Sequence, residues 1–214
     1  IIGQVESAFD FREAMDSKKI ILCNLSKGIL GEEDAKFLGL ILVPKVLTAA
    51  MSRQNMESSK RNDFFLYVDE FQNYATEDFA VILSEARKYR LSLIVANQFI
   101  GQIDEEIKNA VFGNVGTIIS FRVGVPDANF LQHEFAPTFN EQDLANIERF
   151  HVYIKTIVDN EPVPAFSMSL MKDMESVQAR MNPKLAEMIK QLSRLKYGKE
   201  RDIIEADMKI RARL

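Results

Sequence analysis

An α/β fold is what this sequence predicts: a largely parallel sheet with helices on both faces, followed by a helical tail. Three observations carry that prediction. Short apolar runs of strand length recur along the chain at Lys19–Asn24, Phe64–Val68, Leu91–Ala96, Thr117–Phe121 and Val152–Val158. Helical patterns separate them, and strands alternating with helices mark a parallel sheet. After about Ser169 the strand-like runs stop and helical spacing takes over. Residues 1–18 therefore read as an entry segment, 19–169 as the α/β unit and 170–214 as the tail.

Taken in order, Lys19–Asn24 reads as a buried strand ahead of a loop. Glu32 to about Arg53 reads as a helix, with Phe37, Leu38, Ile41, Leu42 and Leu47 on a rough helical period, kinked or split by Pro44. Gln54–Asn62 is polar and reads as an exposed loop. Phe64–Val68 is the next strand. Thr76 is a good N-cap for a helix to about Tyr89, with Glu77 and Asp78 in its first turn. Leu91–Ala96 is a third strand, Asp104–Phe112 a short helix and Thr117–Phe121 a fourth strand. Asp127–Phe135 and Glu141–Glu148 read as helices before the last strand. In the tail, Asn182-Pro183 is an N-cap with proline at the first helical position, and Leu185, Ile189, Leu192 and Leu195 follow at helical spacing. The remaining segment, Lys199–Leu214, is charged and helical.

Composition narrows the functions. The 214 residues include 27 basic and 31 acidic side chains, a net charge of −4. General nucleic-acid binding is not indicated, so a DNA contact needs a local patch or an oligomeric pore. The single Cys23 excludes an internal disulfide framework and reads as buried and inert. His133 and His151 are far apart and read as structural or surface residues. No run reaches the ~20 apolar residues of a membrane helix, and no signal peptide is evident. The opening Ile-Ile-Gly-Gln looks like a cut inside a longer protein, a soluble piece from a reducing compartment.

The chemistry concentrates at strand ends. Phe64–Val68 runs straight into Asp69-Glu70. In a nucleotide site the first acid holds Mg²⁺ through its waters, and the second orients or deprotonates the attacking water. The alternative is a solvated acidic turn. Leu91–Ala96 ends in Asn97-Gln98, where Gln98 could sense a γ-phosphate or simply cap the next segment. Arg87 and Arg90 close the helix between those strands, either as complements to its dipole or as an arginine finger for a neighbouring subunit. Arg122, at the end of the fourth strand, faces nucleotide or an interface, or pairs with Asp127. Lys27, between Gly28 and the preceding strand, has the wrong spacing for a phosphate loop. No G-x-x-x-x-G-K-[ST] occurs in the chain.

Tyr67-Val-Asp-Glu-Phe-Gln-Asn-Tyr-Ala75, Leu83–Gln98, Gly113–Arg122 and Asp127-Ala128, in that order, resemble the C-terminal half of a conjugative coupling ATPase. The family is the type IV secretion coupling proteins of the TraG/TraD kind, within the FtsK/HerA group of P-loop DNA motors. The resemblance implies a RecA-like sheet, incomplete because the Walker A half is absent. It implies Asp69 as the Walker B acid on the Mg²⁺ side, Glu70 as the catalytic acid, Gln98 as the polar residue after the third motif strand and Arg87 as the finger. It further implies ATP and Mg²⁺ as cofactors of the complete protein, a homo-hexamer acting on DNA, and an accessory or relaxosome protein as partner. Such a domain is cytoplasmic, its parent often held at the inner face of the membrane by N-terminal helices, with no membrane contact from this segment. The isolated chain is expected to be inactive. A non-catalytic docking module and a HerA-like chromosomal DNA-processing ATPase are the alternatives.

Overall fold

The structure, a computed structural model, describes residues 4–76, 79, 83 and 85–213. Helix α1 (Phe11–Asp16), a single turn α2 (Lys27–Leu30) and the long helix α3 (Glu32–Met51) precede strand β1 (Phe64–Val68). Strand β2 (Leu91–Val95), helix α4 (Glu105–Asn114), strand β3 (Ile118–Ser120) and helices α5 (Val125–Phe135) and α6 (Glu141–Ala145) follow. Strands β4 (His151–Val158) and β5 (Glu161–Ser169) lead to the tail helices α7 (Met171–Arg180), α8 (Pro183–Tyr197) and α9 (Arg201–Ala212).

The sheet is less uniform than expected. Among the described residues only β1 and β2 run parallel, with Phe64 beside Leu91 and Val68 beside Val95. Strands β3, β4 and β5 form a separate antiparallel sheet in that order. Strand β5 was not anticipated: Pro162 and Pro164 disguise it, but at a sheet edge a proline forfeits little. The run Lys19–Asn24 is no strand. It pairs with no other strand among the described residues, and Ile20 and Leu22 are 88% and 85% exposed.

Two apolar cores hold the chain. The first packs α3, through Val43, Val46, Leu47 and Ala50, against the inward residues of β1 and β2. The second gathers Ala128, Leu131 and Phe135 of α5 with Leu144 of α6. Phe112 of α4 touches both. Alternation puts Phe64, Leu66 and Val68 on the covered face of β1, while Phe65, Tyr67 and Ile94 are exposed on the other. Among the described residues, helices therefore cover one face of this sheet, not both.

Pro44 neither kinks α3 to a stop nor splits it, and the helix runs through. Thr48 donates its hydroxyl hydrogen to the Pro44 carbonyl. The continuous segment Glu32–Asn55, 24 residues, is long and apolar enough to cross a membrane, contrary to the sequence expectation, although Ala35, Leu38 and Ala50 along it are buried in the fold. Of the helix expected over Thr76–Tyr89, Glu77 and Asp78 lie outside the described residues, and its end is a tight 3₁₀ turn, Ala86–Tyr89. The helix expected to reach Glu148 stops at Ala145. Asn182 caps α8 as expected, its side chain accepting from the Leu185 N–H.

One pin crosses the first core. Arg53, in the turn after α3, is fully buried. Its guanidinium donates to Asp16 Oδ1 at 3.0 Å, to the Tyr89 carbonyl at 3.0 Å and to the Asn62 carbonyl at 2.7 Å. It ties α1 to the segments that enter β1 and β2, at the point where the sequence reading passes from helix to exposed loop.

Candidate functional site

Parallel pairing brings the carboxyl ends of β1 and β2 together, and two backbone bonds lock them. The Ala96 N–H donates to the Val68 carbonyl, and the Phe71 N–H donates to the Ala96 carbonyl, each at 2.9 Å. Between those anchors Glu70 adopts the left-handed conformation, φ 49° and ψ 46°, uncommon for a residue with a side chain. The reversal sends Phe71 into the core, edge-to-face on Phe79 at 4.8 Å. Asp69 and Glu70 stay outside. Asp69 is exposed and Glu70 half-exposed, so neither carboxylate carries the burial cost that the sequence suggested.

Glu70 is held by specific partners. Asn73 donates its side-chain amide to Glu70 Oε2 at 2.9 Å. Lys27 Nζ lies 3.4 Å from the same oxygen and 3.5 Å from Glu32 Oε1. Loss of solvent works against the Lys27 charge, but Glu70 and Glu32 outweigh it and raise its pKa above the ordinary lysine value. Asp69 Oδ1 accepts the Glu70 N–H at 2.9 Å. These groups open onto a cleft of about 600 Å³ between the Cys23–Gly28 loop, α3 and the end of β1. Cys23, expected to be buried, is exposed there. Tyr74 lines the cleft too. Burial pushes its phenol pKa up, and the Glu70 and Asp69 charges add to the rise against Lys27. Gly39 of α3 makes room for the Tyr74 ring, because a Cβ there would collide with it.

The other expected site residues divide. Gln98 is exposed just beyond β2, at the same end of the sheet as Asp69. Arg87 is exposed in the turn before β2, at the amino ends of the strands. The structure does not bring it to Asp69 and Glu70; five strand residues, about 16 Å, lie between. Arg90 pairs instead with Asp63 at 3.2 Å. Arg122 is exposed after β3 and makes no ion pair with Asp127. Asp127 is buried and accepts the Ile100 N–H at 3.1 Å, fixing the segment that follows Gln98. Lys27 and Asn73 are the site residues that sequence reasoning missed. Lys27 gave a weak signal beside Gly28, and Asn73 gave none.

Among the described residues, no group of three or more His, Cys, Asp or Glu side chains is placed to hold a metal ion. The donor set at Asp69 and Glu70 suits a cation completed by phosphate oxygens and water rather than one caged by protein.

No protein-family model matches the chain, and no curated protein matches its sequence. Solved structures do match. The bacterial conjugative coupling protein TrwB, in an unbound monoclinic form lacking the N-terminal segment, aligns with TM-score 0.50 and 13% identity over 60% of this chain. TrwB with the non-hydrolysable GTP analogue GDPNP, and TrwB with ADP and Mg²⁺, each align with TM-score 0.51 and 13% identity over 67% of this chain. The chain shares part of the TrwB fold. It spans 36–37% of the TrwB chains it matches.

Proposed function

We propose that this chain is the Walker B half of a nucleotide-hydrolysing DNA motor, with its nucleotide site at the carboxyl ends of β1 and β2. The observation that carries the reading is the locked pair of strand ends, after which Asp69, Glu70 and Gln98 follow at one end of a small parallel sheet. Likeness of fold to a coupling protein solved with nucleotide and with Mg²⁺ supports it. Open parallel sheets bind ligands at this end.

In this reading Asp69 would hold a Mg²⁺ through its waters, and the metal would supply charge neutralisation at the phosphates. Glu70 takes a proton from the attacking water at its Oε atoms. Lys27 and Asn73 hold that carboxylate in place. Gln98 hydrogen-bonds the water or the terminal phosphate. The phosphate-cradling loop and its lysine come from another segment. That segment also covers the exposed face of Phe65, Tyr67 and Ile94, since parallel sheets are covered on both faces. Arg87 lies too far away to serve the site of its own chain, so its role as a finger requires a neighbouring subunit in a ring. Conjugative transfer is the substrate context that the fold likeness favours.

The test uses a longer polypeptide that contains this chain and a phosphate loop, with Mn²⁺ replacing Mg²⁺ for electron paramagnetic resonance. Asp69→Asn is expected to abolish nucleotide-dependent Mn²⁺ binding while metal-free nucleotide binding persists. Unchanged Mn²⁺ binding in that variant overturns the site.

A further inference from the structure

Strand β1 has one free edge. The Phe64 N–H donates to the Arg90 carbonyl and the Val68 carbonyl accepts the Ala96 N–H, so the even residues of β1 serve β2. Parallel pairing then turns the backbone groups of Phe65 and Tyr67 the other way. Among the described residues no strand meets them, and such an edge is a template for one more strand. The segment 19–26 runs alongside, across the cleft, and is pinned at both ends. At its start the Asn62 side-chain amide, just ahead of β1, donates to the Asp16 carbonyl at 2.8 Å. At its end Lys27 lies 3.4 Å from Glu70, just past β1. The segment therefore runs in the direction of β1. Cys23, Leu25, Leu66, Tyr67 and Val68 all line the cleft between them. Among the described residues, 20–25 make no hydrogen bond to β1. Sidedness matches as well. Ile21 and Leu25 are half-buried while Ile20 and Leu22 are exposed, and β1 turns Leu66 and Val68 inward and Phe65 and Tyr67 outward.

We propose that Ile20–Cys23 is a strap that closes on β1 as a third parallel strand, and that the Lys27–Glu70 contact couples its closure to the site. The register sets Ile20 beside Phe65, Ile21 beside Leu66, Leu22 beside Tyr67 and Cys23 beside Val68. A slip of one residue would reverse the strap's faces. Closure repeats the pattern that joins β1 to β2. The Phe65 and Tyr67 N–H groups donate to the Lys19 and Ile21 carbonyls, and the Ile21 and Cys23 N–H groups donate to the Phe65 and Tyr67 carbonyls. Chain length permits both positions. From pin to pin β1 advances from Asn62 to Glu70, about 26 Å, while the strap has three residues more, from Asp16 to Lys27. In the open strap that surplus bows away through the turn at Lys18, φ 54°, and the turn at Asn24, whose side chain accepts the Ser26 N–H at 3.1 Å. On closure one surplus residue stays ahead of Ile20 and two stay after Cys23. Lys27 fixes the strap's carboxyl end over β1, so closure and the Lys27–Glu70 contact favour each other. A ligand that draws Glu70 from Lys27 releases the strap. That consequence rests on the nucleotide reading; closure itself does not.

A disulfide across the edge of the full chain tests this. In a Cys23→Ser background, Leu22→Cys is combined with Tyr67→Cys, both at exposed positions outside the cores. Paired strands bring these Cα atoms to about 5 Å, within disulfide reach. The expected product on oxidation is a disulfide within one chain. Leu22→Cys with Phe65→Cys, two residues out of step and about 8 Å apart, is expected to react about tenfold more slowly. Adding Lys27→Met to the first pair is expected to slow it about fivefold. Hydrogen exchange of the unmodified chain, read by nuclear magnetic resonance, is expected to show protected amides at Ile21, Cys23, Phe65 and Tyr67. Equal rates for the two cysteine pairs, or free-peptide exchange at all four amides, overturns closure. A disulfide forming only between two chains overturns it too and gives the edge to a second copy. An unchanged rate with Lys27→Met overturns the coupling to Glu70.

Discussion

Replacing Arg53 by alanine tests the packing argument where its terms are clearest. The guanidinium is fully buried and makes three hydrogen bonds, one to the carboxylate of Asp16 and two to backbone carbonyls that precede β1 and β2. Alanine strands both carbonyls, each worth about 1–3 kcal/mol when buried without a partner. Asp16 keeps Arg12 at 2.9 Å, so its charge is not abandoned. Breaking one side of a buried pair costs about 3–5 kcal/mol, and that is the loss expected here, a large share of the roughly 5–15 kcal/mol that holds a domain together. Arg53→Lys should lose nearly as much, because an ammonium cannot fork to three acceptors. The chain has no tryptophan, so urea unfolding is followed by far-ultraviolet circular dichroism. A loss below about 1 kcal/mol for Arg53→Ala would refute the reasoning that this pin joins α1 to the strand entrances.

Four further outcomes follow from the same elements. Gly39→Ala drives a methyl into the Tyr74 ring and should cost about 1–3 kcal/mol, read as a lower melting temperature. Gln72 Oε1 is buried without a hydrogen-bond partner among the described residues; Gln72→Met should therefore be neutral or stabilising by about 1 kcal/mol, and a clear loss in urea unfolding contradicts this. Alkaline titration should destabilise the fold by two routes. The Tyr74 phenol, raised by burial and then by Glu70, keeps its proton in the fold after the unfolded chain has lost it, so stability falls as pH rises from the ordinary tyrosine value toward the raised one. The Lys27 contribution is complete below the ordinary lysine value and disappears as pH climbs through the raised one. Glu70→Gln should lower the Tyr74 pKa, measured by phenolate absorbance, and no change would contradict the charge coupling.

Much of the fold was legible because apolar runs of strand length, flanked by turn residues, leave few options. Strands β1, β2, β3 and β4 were read that way, and the Asn182 cap of α8 from its Asn-Pro pair. The failures share a physical cause: a run of the right composition does not reveal its neighbour. Lys19–Asn24 has the residues of a buried strand but, among the described residues, no strand paired with it. Strand β5 has two prolines and pairs well at an edge. Pro44 sits inside α3 because surrounding contacts outweigh the missing N–H. The acidic pair and Gln98 were legible as strand-end groups. Lys27 and Asn73 were not, since what makes them members of the site is a contact formed only when the loop before α3 folds over the end of β1.

The most direct test of the central claim is DNA-dependent ATP turnover by a longer polypeptide that contains this chain with its phosphate loop, compared with the same protein carrying Glu70→Gln. The account predicts turnover stimulated by DNA, and a loss of about 10²–10⁴-fold in the variant with nucleotide affinity retained. Equal turnover in both proteins would contradict it, because the carboxylate that the β1 turn, Asn73 and Lys27 hold in place would then do no chemistry.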